Sequence, residues 1–284
     1  MSRAVTCLRA SYYRTVKQLF LYQRDAFTRE PFRGNAAAYV PLETWLDDAT
    51  MQAIAGENNL SETAFTVRAA DHDGRPSYHL RWFTPSAEIA LCGHATLATA
   101  GQLFDDVHPA ASGLAFNTLS GWLLVDRGEE ERLVLDFPAQ MPTRVDVPDD
   151  IGAILGATPI AAWSGIDDLY VFDHEADVRD MVPDMGALAR REGRGVIVTA
   201  PADEPGIDFV SRFFAPKVGV PEDPVTGSAH TKLVPYWSAR LNRRVLRARQ
   251  ISARVGDLWC ELVGDRVKIG GHTVRVLEGT IFVP

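Results

Sequence analysis

Two stretches of this 284-residue chain read alike, and no other feature limits its possible folds as much. Residues 79–98 contain Arg81-Trp82-Phe83-Thr84-Pro85 and then Cys92-Gly93-His94-Ala95-Thr96. Residues 210–234 contain Arg212-Phe213-Phe214-Ala215-Pro216 and then Thr226-Gly227-Ser228-Ala229-His230. Arg81, Phe83 and Pro85 pair with Arg212, Phe214 and Pro216 at a spacing of 131, and Gly93 pairs with Gly227 at 134, after three extra residues in the second copy. The downstream segments match too. Gly121–Val125 with Arg132–Leu135 reads as a hairpin, and Leu258–Val263 with Arg266–Ile269 reads the same way. Matches in the same order imply two related units rather than chance similarity.

Each copy predicts one scheme: an aromatic strand (Leu80 to Phe83; Phe209 to Phe214) ending at a proline, a loop, a glycine, and a helix of small and apolar residues. The helices are expected over Ala95–Phe104 and from Ser228 to Arg240, the second interrupted by Pro235. Further helices are expected over Thr44–Gly56 and Asp184–Arg191, with Asp47 and Asp48 near the start of the first. Strand-like runs fill most of the rest, beginning at Gln18. The expected fold is α+β: two pseudo-symmetric lobes, each a mixed β-sheet or barrel wrapped around a central apolar helix. The length suits two lobes of about 130 residues each. Residues 18–140 form the first lobe and 146–272 the second, with the Pro/Asp-rich stretch Pro138–Asp150 as linker. The last strand, within 273–284, is expected to return to the first lobe. Residues 1–17 hold Arg3, Arg9, Arg14 and Lys17 with no acid before Asp25. That composition has the flavour of an organelle presequence; an N-terminal extension is the simpler expectation.

A helix start carries unpaired N–H groups and the positive end of a dipole, and a glycine there lets a ligand come close to the backbone. Two related lobes facing each other would bring Gly93-His94 and Gly227-Ser228 to one cleft, where a small carboxylate or an enolate oxygen could be held. Either glycine alone is an ordinary tight turn; it is the pairing that points to a site.

Several motifs together resemble the PhzF-like (phenazine biosynthesis) family. They are Asp25-Ala26-Phe27-Thr28, Phe32-Arg33-Gly34-Asn35, Asn58–Phe65, Arg81–Pro85, Cys92–Thr96 and Glu222–His230. The resemblance runs from about residue 18 to the end. It implies the diaminopimelate-epimerase fold, a homodimer, and isomerisation without metal or nucleotide. On that resemblance Glu62 is the residue that shuttles a proton between two carbons, with His94 and Asp223 assisting. Gly93, Gly227 and Ser228 would bind the substrate carboxylate, and Asn35 would touch the substrate or hold its loop. Taken alone, Glu62 is as well explained as a helix cap and Asp223 as a turn-forming Asx-Pro. Beside a helix N-terminus the His94 imidazole is expected to stay neutral. Ala36 stands where many members carry proline.

Cys92 precedes the first glycine where related two-base epimerases carry a thiol, but its counterpart is Thr226, so a two-thiol mechanism is not available. A Cys92-dependent lyase or dehydratase is the alternative, and a binding protein without turnover the other; otherwise Cys92 is a small core residue. The three cysteines make neither a disulfide framework nor a zinc pattern, which suggests a reducing, cytoplasmic setting. No Gly-x-Gly-x-x-Gly, phosphate loop or nucleophile elbow is present. His72 and His79 lack partners at metal spacing, and His230 fits packing near the cleft better than metal binding. No cofactor or metal is expected. A formal charge of −8 with no basic stripe argues against nucleic acid; Arg240, Arg243, Arg244, Arg247 and Arg249 read as surface charge. No apolar run approaches a membrane span.

Overall fold

A computed structural model describes residues 17–284. The expected extension therefore lies outside the described residues, except Lys17, the first residue of β1. The first half of the chain is built from β1 (Lys17–Ala26), β2 (Asn35–Leu42), α1 (Asp48–Asn58), β3 (Glu62–His72), β4 (Arg75–Phe83), β5 (Glu88–Ile89), α2 (Gly93–Asp106), β6 (Gly113–Thr118), β7 (Gly121–Arg127) and β8 (Leu133–Pro138). The second half opens with β9 (Thr143–Val145), α3 (Ile151–Leu155), β10 (Ala161–Ser164), β11 (Asp167–Val171), α4 (Glu175–Arg179) and α5 (Met185–Arg190). It continues through β12 (Gly195–Pro201), β13 (Phe209–Phe214), α6 (Gly227–Leu241), β14 (Val245–Gln250), β15 (Gly256–Val263), β16 (Arg266–Gly271) and β17 (Thr273–Val283). The architecture is mixed α+β, dominated by strands. Among the described residues no helix is long and apolar enough to cross a membrane.

The strand pairings repeat. In the first half β1–β2 are antiparallel, β2–β3 parallel, β3–β4 antiparallel, β4–β6 parallel, and β6–β7 and β7–β8 antiparallel. In the second half β10–β11, β11–β12, β12–β13, β13–β14, β14–β15 and β15–β16 show the same sequence of senses. In both halves one long helix, α2 or α6, makes the crossover between two parallel strands, as parallel pairing requires. Two seams join the halves: β8 runs antiparallel to β16, and β17 returns along all of β1, from Lys17 opposite Val283 to Ala26 opposite Thr273, while β9 pairs with β10 within the second half. The expected return of the last strand is thus seen, and the expected linker carries the short strand β9.

Both long helices are buried nearly all round: every residue of α2 from His94 to Phe104, and most of α6 from Gly227 to Ser238. A helix apolar on all faces belongs in the middle of a core. The small residues of α2 let strands come close. A Cβ on Gly101 would stand 2.2 Å from Thr273 Oγ1, so only glycine fits against β17 there. Arg24 of β1, itself buried, reaches Asp105 at 2.7 Å and Gln102 at 3.2 Å and ties the sheet to the end of α2. Two helix starts, those of α1 and α5, sit where a side chain caps them. α1 begins at Asp48, four residues later than Thr44, because Asp47 Oδ1 accepts from the Thr50 N–H. Likewise Asp184 caps α5. The long helices instead begin at their glycines, one or two residues earlier than expected, and α6 continues through Pro235.

Candidate active site

The site starts from a turn. Gly34 has φ 60°, and a Cβ on it would lie 2.0 Å from the Ala26 carbonyl oxygen, so no other residue can reverse the chain there. The turn sets Asn35 at the head of β2 with no exposed surface. From the second half, Arg254 grips the turn, donating from Nε to Gly34 O at 2.8 Å and from Nη2 to Asp25 Oδ1 at 2.8 Å.

Asn35 connects the two halves. Its amide nitrogen donates to Asp223 Oδ1 at 2.8 Å and to Val225 O at 3.0 Å, and its Oδ1 accepts from Ser61 Oγ at 3.2 Å. An amide has two N–H groups. With both engaged, the 3.3 Å approach of His94 Nδ1 is a contact rather than a third bond. Of the two roles expected of Asn35, substrate contact or holding its loop, these bonds fit the second: its polar atoms clamp the two halves together.

Glu62 opens β3, parallel to Ala37, and is neither a helix cap nor a surface acid. Its Oε2 lies 2.9 Å from Nε2 of His94, the second residue of α2, with the side chains 14% and 7% exposed. The two atoms form an ion pair without good hydrogen-bond alignment, so each still has directional capacity for a ligand. Burial opposes the imidazolium, but the Cys92 sulfur, 3.5 Å from Nδ1, and the Glu62 carboxylate, 2.9 Å from Nε2, together outweigh it and hold His94 well above its usual range. The expected neutral imidazole is therefore corrected: a carboxylate at contact distance overrides the helix terminus.

Asp223 closes the constellation from the other side. Besides Asn35, its Oδ2 accepts from Thr226 Oγ1 at 2.5 Å. Burial, and then the charge of Glu62, push its carboxyl up to about 6, against the opposing influence of His94, Thr226 and Asn35. Gln250, fully buried at the end of β14, fixes the segment: its Nε2 donates to Asp223 O at 2.7 Å, and its Oε1 accepts from Thr226 N at 2.9 Å. Gln250 lies in no sequence motif, and Ser61, inside the Asn58–Phe65 motif, carries no signal of its own beside Glu62. A glutamine at the end of an otherwise basic and apolar strand was the one available hint.

The two helix tips meet. A Cβ built on Gly93 would be 3.9 Å from the Gly227 Cα, and one built on Gly227 equally far from the Gly93 Cα. Cys92 and Thr226 are the corresponding N-cap residues, and neither caps its helix with a side chain, so the first-turn N–H groups are left for other partners. Ser228 sits at the second tip with its Oγ accepting from Arg194 at 3.0 Å. Cys92 is buried with Sγ 3.5 Å from His94 Nδ1, and burial followed by the Glu62 charge pushes its thiol up to about 11. One turn along α6, buried His230 bonds through Nδ1 to Thr226 O at 2.8 Å, and burial lowers it to about 4.

Glu62, Cys92 and His94 offer ligand atoms within 4.8 Å of one another, the one group of that kind among the described residues. The ring, however, stands between its partners, with Nε2 toward Glu62 and Nδ1 toward Cys92. A single ion takes one ring nitrogen, so the trio fits a relay of polar contacts better than a metal cage. Surface depressions of about 640 Å³ near Arg190 and Arg191 and about 460 Å³ near Arg247 and Trp259 are lined by other residues.

A family model described as phenazine biosynthesis-like protein matches residues 24–279. A Pseudomonas aeruginosa protein named an uncharacterized isomerase is 52% identical over 265 residues, covering 93% of this chain and 98% of that protein. The crystal structure of a PhzF-family protein from Enterococcus faecalis aligns with a TM-score of 0.89 at 47% identity, over 94% of this chain and 100% of that one. At 9% identity, a hydroxyproline epimerase from Agrobacterium vitis aligns with a TM-score of 0.57 over 93% of this chain and 92% of that one, a likeness of fold alone.

Proposed function

The chain belongs to the phenazine biosynthesis-like (PhzF) family, and from that premise we propose that it is an isomerase moving a proton on a small carboxylate-bearing metabolite. The observation that carries this reading is the convergence of Glu62, His94 and Asp223 on two facing, uncapped helix tips. The repeated pairing order supports two pseudo-symmetric lobes, 18–140 and 146–272, with the reaction between them. A homodimer and a reducing, cytoplasmic setting belong to the same proposal.

The chemistry derives from the donors. Backbone N–H groups of Gly93, Gly227 and Ser228 hold the substrate carboxylate and stabilise the enolate that forms when a proton leaves the adjoining carbon. Glu62 takes that proton and returns it to another carbon on the same face. His94, held as imidazolium by Glu62, keeps the carboxylate oriented. Asp223, whose carboxyl titrates near 6, exchanges a proton close to working pH. Asn35 and Gln250 act as positioning residues through Asp223 and Thr226. No step needs a metal or nucleotide. The alternative of a Cys92-dependent lyase is disfavoured by a thiol held at about 11, which leaves little thiolate at neutral pH. Parallel turnover assays separate the readings: Cys92→Ala keeps most activity and Glu62→Gln loses it. The reverse pattern would sink the acid–base proposal.

A further inference from the structure

Behind the second helix tip lies a charge cluster that the proton-transfer chemistry does not use. Asp167, the first residue of β11, has no exposed surface. Arg194 grips it with two parallel bonds, Nε to Oδ1 at 2.8 Å and Nη2 to Oδ2 at 2.6 Å. Lys232 of α6, 3% exposed, places Nζ 3.0 Å from the same Oδ2. Two cations thus share one carboxylate, which leaves a surplus of one positive charge. An Arg–Asp pair alone would be neutral and sufficient as a structural tie. Burying an additional ammonium is costly, of the order of several kcal/mol before pairing.

The surplus is directed at the site. Arg194 Nη2 also donates to Ser228 Oγ at 3.0 Å, so that hydroxyl, already accepting, has its own proton left to donate. Arg194 Nη1 has no protein partner among the described residues, and the side chain is 40% exposed. Phe213 lies under the guanidinium at 5.6 Å and fixes its plane. The Asp223 charge is also felt at Arg194, which ties the cluster to the catalytic constellation.

We propose that Arg194 Nη1 and the Ser228 hydroxyl form a seat for a second anionic group, so that the substrate carries two acidic groups: one at the helix tips, one on Arg194. This rests on the isomerase reading above and narrows its substrate class. Glu62 moves the proton, while Arg194, in a cluster left with net positive charge because Lys232 also serves Asp167, selects the molecule.

The test is calorimetric titration with the diacid series from malonate to adipate, each against the monoacid of equal chain length. The wild type is expected to bind at least one diacid about tenfold more tightly than its monoacid, the size of one charge-assisted hydrogen bond. Arg194→Gln is expected to lose that preference while monoacid affinity stays within about twofold. Arg194→Lys, which keeps charge without the planar fork, is expected to fall between. Glu62→Gln is expected to keep the preference, so a failure of the proton-transfer reading shows there as retained turnover and leaves the diacid result standing. A wild type that prefers no diacid, or an Arg194→Gln protein with the preference intact, overturns the inference.

Discussion

Replacing Asn35 with alanine tests whether the two halves are held at the site by one amide. The side chain has no exposed surface and supplies donors to two acceptors from the other half, Asp223 Oδ1 at 2.8 Å and Val225 O at 3.0 Å. Deleting it leaves both without that donor and removes the acceptor of Ser61. Each buried acceptor left unpaired costs roughly 1–3 kcal/mol, with the carboxylate toward the top of that range, so the expected loss is about 3–5 kcal/mol. Asn35 also helps hold the Asp223 carboxyl down against burial, so its removal should raise the Asp223 titration further above about 6. Urea unfolding should show a lower midpoint at an unchanged slope, and the acidic limb of the pH–activity profile should move to higher pH. A loss below about 0.5 kcal/mol, within the range of an ordinary surface change, with an unmoved limb would refute the clamp.

Other consequences concern charge and packing. Asp223 is a carboxyl whose folded value, about 6, lies above its unfolded value of 3.8, so ionising it opposes folding. The wild type should therefore lose stability relative to Asp223→Asn as pH rises from about 4 to 6, by roughly 3 kcal/mol, with no further change above; a flat difference across that window would count against the burial argument. The ring signals of His94 should titrate above the usual imidazole range by NMR, and Glu62→Gln should lower that midpoint because the opposing carboxylate is gone. Gly101→Ala would force a Cβ against Thr273 Oγ1 and should destabilise by about 1–3 kcal/mol in chemical denaturation.

The repeat made most of the fold legible. Arg81 and Arg212 mark equivalent strands, Gly93 and Gly227 mark equivalent helix starts, and the hairpins after them appear as β7–β8 and β15–β16. Short elements such as α3 and α4 were not legible, because five residues carry too little periodicity and are set by packing against strands. Glu62 and Asp223 could be singled out only through a family resemblance, since one glutamate before a strand and one Asp-Pro look ordinary. The charge state of His94 is not legible in the sequence, which does not reveal that a carboxylate 32 positions earlier lies against its ring. Gln250, Asp167, Arg194 and Lys232 lie in no motif, and their partners are distant in sequence.

Hydrogen–deuterium exchange at carbon tests proton transfer by Glu62 most directly. The wild-type protein is incubated with small-carboxylate metabolites in deuterated water and their masses are monitored. It should place solvent deuterium on a carbon of one of them, and Glu62→Gln should place none while keeping the wild-type fold by circular dichroism. Equal labelling by the two proteins would show that some other group moves the proton.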